Sequence, residues 1–187
     1  MNKEMPVLLI DIDDTIAELL PTWVNFLNNS FNMSVSVDDI TDWDMCKFYP
    51  SLTKEQIHEP LRDVEFWKTV KPKLDAMEYV EKLFYEGYNI FLCTSTDYRN
   101  ICAKYEYIVK RYFPYIKWSH IIVANNKQMI RADYLVDDGI HNLENGNFIK
   151  ILMTAPHNRS YNASANGMYR VNDWKEVYEI IHQREIV

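Results

Sequence analysis

The run Pro6-Val7-Leu8-Leu9-Ile10-Asp11-Ile12-Asp13-Asp14-Thr15 constrains this chain more than any other stretch. Val7 to Ile10 reads as a buried strand that ends abruptly in two carboxylates spaced i, i+2. At the carboxyl end of a buried parallel strand, that spacing sets Asp11 and Asp13 in the crevice where open α/β sheets bind ligands. Packing calls for no acid there. Phosphoryl transfer calls for two, one to attack phosphorus and one to move a proton, with a cation to hold the negative charges together.

A chain of 187 residues holds one core of roughly 100–150 residues plus a modest insertion. At 48% apolar and 14% aromatic residues it can bury that core. A net charge of −7 argues against binding polymeric nucleic acid, which needs a basic face. A small anionic substrate stays open, because a metal ion and one or two lysines can reverse the field locally. Cys46, Cys93 and Cys102 lack metal-type spacing and read as reduced thiols of a cytoplasmic protein. No signal peptide is visible, and the longest apolar runs fall far short of the ~18 residues of a membrane span.

Strand and helix patterns alternate along most of the chain. A helix is predicted over 16–29, with Pro21 marking a kink or a new start. Residues 30–71 break the alternation: they are rich in aromatics and acids, with short helical pieces such as 51–61, and read as a small helical insertion over the site. Alternation resumes with a helix over 74–85 that stops at Gly87 and a strand over 88–93 that closes on Thr94-Ser95. A helix over 100–112, strands at 121–124, 134–136 and 148–153, and a final helix over 173–183 follow. Strand-helix-strand order with short connections implies a parallel, doubly wound α/β sheet with right-handed crossovers.

Asp11/Asp13, Thr94/Ser95 and Asp137/Asp138 all stand at the carboxyl ends of apolar strands. One such cluster could simply cap the next helix. Three at one sheet edge converge on a single crevice at the switch point. Lys127, alone a surface lysine, would there balance charge and orient a phosphoryl group. A calcium loop starting at Asp11 is excluded, since Ile16 and Thr22 stand where glycine and glutamate are required.

This order, an apolar strand into Asp-x-Asp-x-Thr, a strand into Thr/Ser, a lysine, then a strand into Asp-Asp, resembles the four motifs of the haloacid dehalogenase superfamily of phosphatases. The run Phe91-Leu92-Cys93-Thr94-Ser95 and the run from Lys127 through Arg131-Ala132-Asp133 to Asp138 are similar to the 5′(3′)-deoxyribonucleotidases. His157-Asn158 and Asp173-Trp174-Lys175 are similar to that family as well. The resemblance implies a haloacid dehalogenase-like, Rossmann-like core of residues 1–16 and 72–187, with a helical cap of 17–71 that selects substrate. It implies a Mg²⁺-dependent phosphomonoesterase of (deoxy)nucleoside 5′(3′)-monophosphates that works through an aspartyl-phosphate.

Carried over position by position, Asp11 is then the nucleophile and Asp13 the general acid and base. Mg²⁺ is held by Asp11, the Asp13 backbone carbonyl and Asp138, with Asp137 behind or through water. Thr94 and Ser95 bind phosphate, and Lys127 pairs with Asp11 and phosphate. Trp43 and Phe66, then Trp67, are the family-implied base-stacking residues, and Leu19 lines the sugar side. Against the better-known members, Asp14 replaces a glycine, Asp44-Met45 follow Trp43, Thr96-Asp97 follow Thr94-Ser95, and Asn125-Asn126 precede Lys127. Weaker expectations put His141 in a surface loop, His157-Asn158 in fixing the loop after the last strand, Trp174 in the core and Arg99 in solvent. Expected partners are a small-molecule nucleotide, no polymeric nucleic acid and no membrane, in a monomer or homodimer. Another small phosphomonoester as substrate, or a non-catalytic module on the same core, are the alternatives.

Overall fold

Six short runs of β-branched and other apolar residues form one parallel sheet: β1 (Val7–Ile10), β2 (Asn89–Thr94), β3 (Ile121–Val123), β4 (Tyr134–Asp137), β5 (Ile149–Met153) and β6 (Met168–Val171). The structure, a computed structural model, describes residues 5–185, and side chains only as far as residue 183. The strand order is β3-β2-β1-β4-β5-β6, with every neighbouring pair parallel. The chain runs outward from β1 to β3, then returns to β4 on the other side of β1. Strand order therefore reverses between β1 and β4, which opens a crevice at their carboxyl ends.

Period-two alternation puts Leu8 and Ile10 into a large core with Leu92, Val136, Ile151 and Met153, and Leu9 into a smaller one with Cys93, Leu135 and Leu152. Both faces are apolar, so these strands read as unbroken hydrophobic runs. The helices are α1 (Leu19–Phe31), α2 (Lys54–His58), α3 (Val64–Thr69), α4 (Leu74–Tyr85), α5 (Ile101–Lys104), α6 (Lys110–Tyr112), α7 (Ile140–Leu143) and α8 (Trp174–Glu185). Helix α4 has the bounds its apolar spacing predicts, and Trp174 is fully buried at the start of α8, as expected.

Five readings are corrected or settled by the structure. The first helix starts at Leu19, not Ile16, because residues 12–18 are drawn into a loop that pairs with 71–73. Pro21 lies in its first turn, where a missing N–H costs nothing, so it marks a start and not a kink. The 51–61 piece is α2, capped by Thr53, followed by a 3₁₀ turn over Glu59–Arg62. Strand β6 was not expected: it is a four-residue edge strand carrying Tyr169 and Arg170, too short and polar to show a period. The expected helix over 100–112 is real, but its middle, Tyr105–Val109, is a π-helical turn between α5 and α6.

The insertion leaves and rejoins the core at one point. Ala17 bridges Pro72, the Glu18 N–H donates to the Lys71 carbonyl at 2.8 Å, and the Lys73 N–H to the Ile16 carbonyl at 2.8 Å. Between these points Leu20, Val24, Leu27, Ile40, Met45, Tyr49 and Ile57 form an apolar cluster of their own. Phe66, Trp67 and Val70 pack instead on the main core. On the far side, Arg159 pairs with Asp38 at 2.7 Å.

Candidate active site

Register assembles the site. Ile10 is level with both Leu92 and Val136, so Asp11, one residue on, comes beside Asp137, with Thr94 near the same edge. Lys127 is fully buried, and its Nζ donates to Asp11 Oδ1 and, at 2.6 Å, to Asp137 Oδ2. The other Asp137 oxygen accepts from the Gly139 N–H at 2.7 Å and from Asn142 Nδ2 at 3.0 Å. Both oxygens of Asp137 are thus engaged, and Lys127 is held between Asp137 and Asp11. The Asp138 carbonyl accepts from Asn158 Nδ2 at 2.9 Å and lies 3.2 Å from His157 Nε2, so the loop after β5 fixes it. Asp138 Oδ2 is buried without a hydrogen-bond partner among the described residues. His157 Nε2 lies 3.4 Å from that oxygen, and burial lowers its imidazole below the ordinary range.

A second lysine, not singled out from sequence, completes the edge. Lys104 is 2% exposed, and its Nζ donates to Asp13 Oδ2 and, at 3.0 Å, to Thr94 Oγ1. A signal for it exists: Lys104 stands three residues after Ile101 and four before Ile108, on the apolar face of its helix. The π turn follows directly, a common mark of functional helices. Asp14, at φ +54, occupies the left-handed conformation that favours glycine, which accounts for glycine there in better-known members. Its carboxylate compensates in part by accepting from the Leu20 N–H at 2.8 Å, at the start of α1.

Four carboxylates, Asp11, Asp13, Asp137 and Asp138, face two ammonium groups, Lys104 and Lys127. Burial pushes Asp11 up to about 7, opposed by Lys127 and reinforced by Asp137 and Asp13. Burial, then Asp137 and Asp11, raises Asp138 well above the carboxylate range. Burial disfavours the charge of Lys127, yet Asp11 and Asp137 outweigh it and hold the ammonium above an ordinary lysine. Oxygens of Asp11, Asp137 and Asp138 lie within 4.8 Å of one another. An all-oxygen, over-negative cluster with an orphaned buried oxygen fits a hard divalent cation.

Beside Asp13 opens a cleft of about 260 Å³. Its lining joins apolar Leu19, Leu61 and Trp67 to polar His58, Ser95, Thr96 and Asn100. The structure brings Leu19 and Trp67 to the Asp13 side and does not bring Phe66 or Trp43 there. Phe66 and Trp67 are both buried, edge to face with ring centroids 5.8 Å apart, and only Trp67 reaches the cleft. Trp43 lies over His157, with centroids 3.9 Å apart, on the Asp138 side. Ser95 Oγ donates to Asn125 Oδ1 at 2.6 Å, and Arg99 is held by Asp97 at 2.7 and 2.9 Å. His141 is exposed on α7.

The family model of the 5′ nucleotidase, deoxy (pyrimidine), cytosolic type C proteins matches residues 5–186. A 5′(3′)-deoxyribonucleotidase of Bacillus subtilis is 32% identical over 173 residues, 91% of this chain and 95% of the relative. A 5′(3′)-deoxyribonucleotidase of Clostridium acetobutylicum is 32% identical over 179 residues, 94% of this chain and 93% of the relative. Among solved structures, a haloacid dehalogenase-like hydrolase of Streptococcus pneumoniae superposes with a TM-score of 0.66 at 11% identity, covering 95% of this chain and 98% of that one. This last likeness concerns the fold.

Proposed function

From the premise that the chain belongs to the cytosolic type C deoxy-5′-nucleotidase family, and is therefore a phosphoric monoester hydrolase, we propose that it hydrolyses (deoxy)nucleoside 5′(3′)-monophosphates with Mg²⁺ through a phosphorylated Asp11. One observation carries the reading. Asp11 and Asp13 are each held by a separate buried lysine, and a cleft lined in part by Leu19, Leu61 and Trp67 opens beside Asp13.

Asp11 Oδ1 is held by Lys127, so its other oxygen is the one to attack phosphorus. Thr94 and Lys127, and Ser95 once its hydroxyl turns from Asn125, would donate to the phosphoryl oxygens, and such donors favour the charge-rich transition state. Asp13, oriented by Lys104, gives its proton to the leaving ester oxygen and then takes one from the water that opens the acyl phosphate. Asp11, Asp138 and the Asp13 carbonyl would hold the cation, with Asp137 behind them. When bound, Mg²⁺ neutralises repulsion between the Asp11 carboxylate and the phosphate. Leu19, Leu61 and the small part of Trp67 that reaches the cleft, its ring being 1% exposed, would form the apolar surface beside the nucleobase, and the insertion that carries them would be the cap that excludes water. Phe66 packs edge to face with Trp67. Three free thiols fit the cytoplasm.

Phosphate release from a panel of deoxy- and ribonucleoside 5′- and 3′-monophosphates, beside sugar phosphates, with Mg²⁺ and with EDTA, tests this. Mg²⁺-dependent release that favours deoxynucleotides is expected. Release from sugar phosphates alone would overturn the nucleotide reading and keep the phosphatase chemistry.

A further inference from the structure

We propose that the Asn100 carboxamide is a specificity contact that hydrogen-bonds the part of the substrate beyond its ester oxygen. This rests on the nucleotide reading above and adds a residue to it. Asn100 is the N-cap residue of α5, a place where asparagine ordinarily folds back to accept from the helix's first N–H groups. Here it makes no such cap bond. It is 8% exposed and lines the cleft, and its Oδ1 is buried with no partner among the described residues. A shielded amide oxygen that neither caps its helix nor meets another group costs stability unless a ligand completes it.

Its position suits a leaving group. The Lys104 N–H donates to the Asn100 carbonyl at 3.0 Å, so the two residues lie one helical turn apart on one face, about 5–6 Å. Lys104 marks the Asp13 end, where the ester oxygen leaves. Asn100 is therefore a turn further out, at the depth of a sugar hydroxyl or a base edge. Leu19 and Leu61 offer no polar contact, the Trp67 indole N–H is already given to the Leu61 carbonyl at 2.7 Å, and His58, whose Nδ1 lies 2.8 Å from the Lys54 carbonyl, is another polar side chain of the lining that a substrate could meet. The charged groups at the mouth are engaged as well, Asp97 by Arg99 and Arg62 by Glu55. A carboxamide offers a donor and an acceptor side by side, which a pyrimidine edge or a deoxyribose hydroxyl can meet.

The test is steady-state kinetics with Mg²⁺ on Asn100→Leu and on Asn100→Ser, which keeps a residue suited to the helix start. Substrates are deoxyuridine 5′-monophosphate, deoxycytidine 5′-monophosphate, 2-deoxyribose 5-phosphate and phenyl phosphate. For one lost neutral hydrogen bond, KM for the nucleotides should rise about 3- to 10-fold with kcat little changed. Phenyl phosphate, which has no polar group at that depth, should stay within about twofold. A rise shared by 2-deoxyribose 5-phosphate assigns the contact to the sugar, and a rise confined to nucleotides assigns it to the base. Unchanged nucleotide KM in both variants, or an equal loss on phenyl phosphate, overturns the inference. A wild-type protein that does not prefer nucleotides to phenyl phosphate overturns the parent reading, and this one with it.

Discussion

Replacing Lys104 by methionine removes the one positive charge that ties Asp13 to Thr94 while keeping a long apolar stem. Breaking a buried ion pair costs about 3–5 kcal/mol, because the remaining charge is stranded. The Asp13 side chain keeps 24% exposure, so water recovers part of that loss and about 2–3 kcal/mol is expected. For 187 residues the entropy of unfolding is about 0.4 kcal/mol per kelvin, so Tm should fall by about 5–8 °C in calorimetry. The kinetic effect follows from geometry. Asp13 loses the group that sets its orientation, and a displacement of about 1 Å at a reacting group costs about 100-fold. That loss should appear in kcat/KM, which stops at transfer to Asp11, for a nucleotide, whose alkoxide leaving group needs a proton. With p-nitrophenyl phosphate, whose leaving group needs none, the loss in kcat/KM should stay under about 10-fold. Equal losses of kcat/KM on both substrates, or a nucleotide kcat/KM within about threefold of wild type, would refute the coupling of Lys104 to proton transfer.

Other outcomes follow from the same geometry. Trp67→Ala should raise KM for nucleotides by about 10-fold or more, whereas Trp43→Ala should leave it within about twofold, since only Trp67 lines the cleft; equal effects would contradict this. Burial raises Asp11 to about 7 and raises Asp138, so without a cation the folded protein holds protons that the unfolded chain has released above pH 4. Its stability therefore falls as pH rises from about 4 to 7, and Mg²⁺, which needs the ionised carboxylates, should raise Tm more at pH 8 than at pH 5.5. A Mg²⁺ shift independent of pH would contradict that. Asp14 is also pushed up to about 7 by burial, so Asp14→Asn, which keeps the left-handed turn and the bond to Leu20, should raise Tm of the EDTA-treated protein at pH 8 and do little at pH 4. A loss of Tm at pH 8 would count against it.

The carboxylates and hydroxyls at the edge of the candidate site were legible because Asp11, Asp13, Thr94, Asp137 and Asp138 each stand at or just beyond the end of an apolar run. Val7–Ile10, Asn89–Thr94 and Tyr134–Asp137 declare buried parallel strands, and parallel strands present their carboxyl ends together. Helix α4 was legible from its apolar spacing and Gly87 stop. Lys104 was not, since a lysine is ordinarily read as solvent-facing and its buried partners lie on β2 and the loop after β1. The loop over 12–18 escaped because its shape is set by pairing with residues 71–73, a contact across the whole insertion. Trp43 and Phe66 show the limit for aromatics: the resemblance marks them as cleft candidates, but only packing separates Trp67, which touches the cleft, from buried Phe66 and from Trp43 on His157.

The central claim is that Asp11 takes the phosphoryl group. The direct measurement is an acid-quenched single turnover of a deoxynucleoside monophosphate with Mg²⁺, followed by mass spectrometry of the peptide carrying Asp11. A peptide heavier by one phosphoryl group during turnover, and unmodified in Asp11→Asn, which should also release no phosphate, is the result expected. Full-rate phosphate release with the Asp11 peptide unmodified throughout, or turnover surviving in Asp11→Asn, would contradict the account.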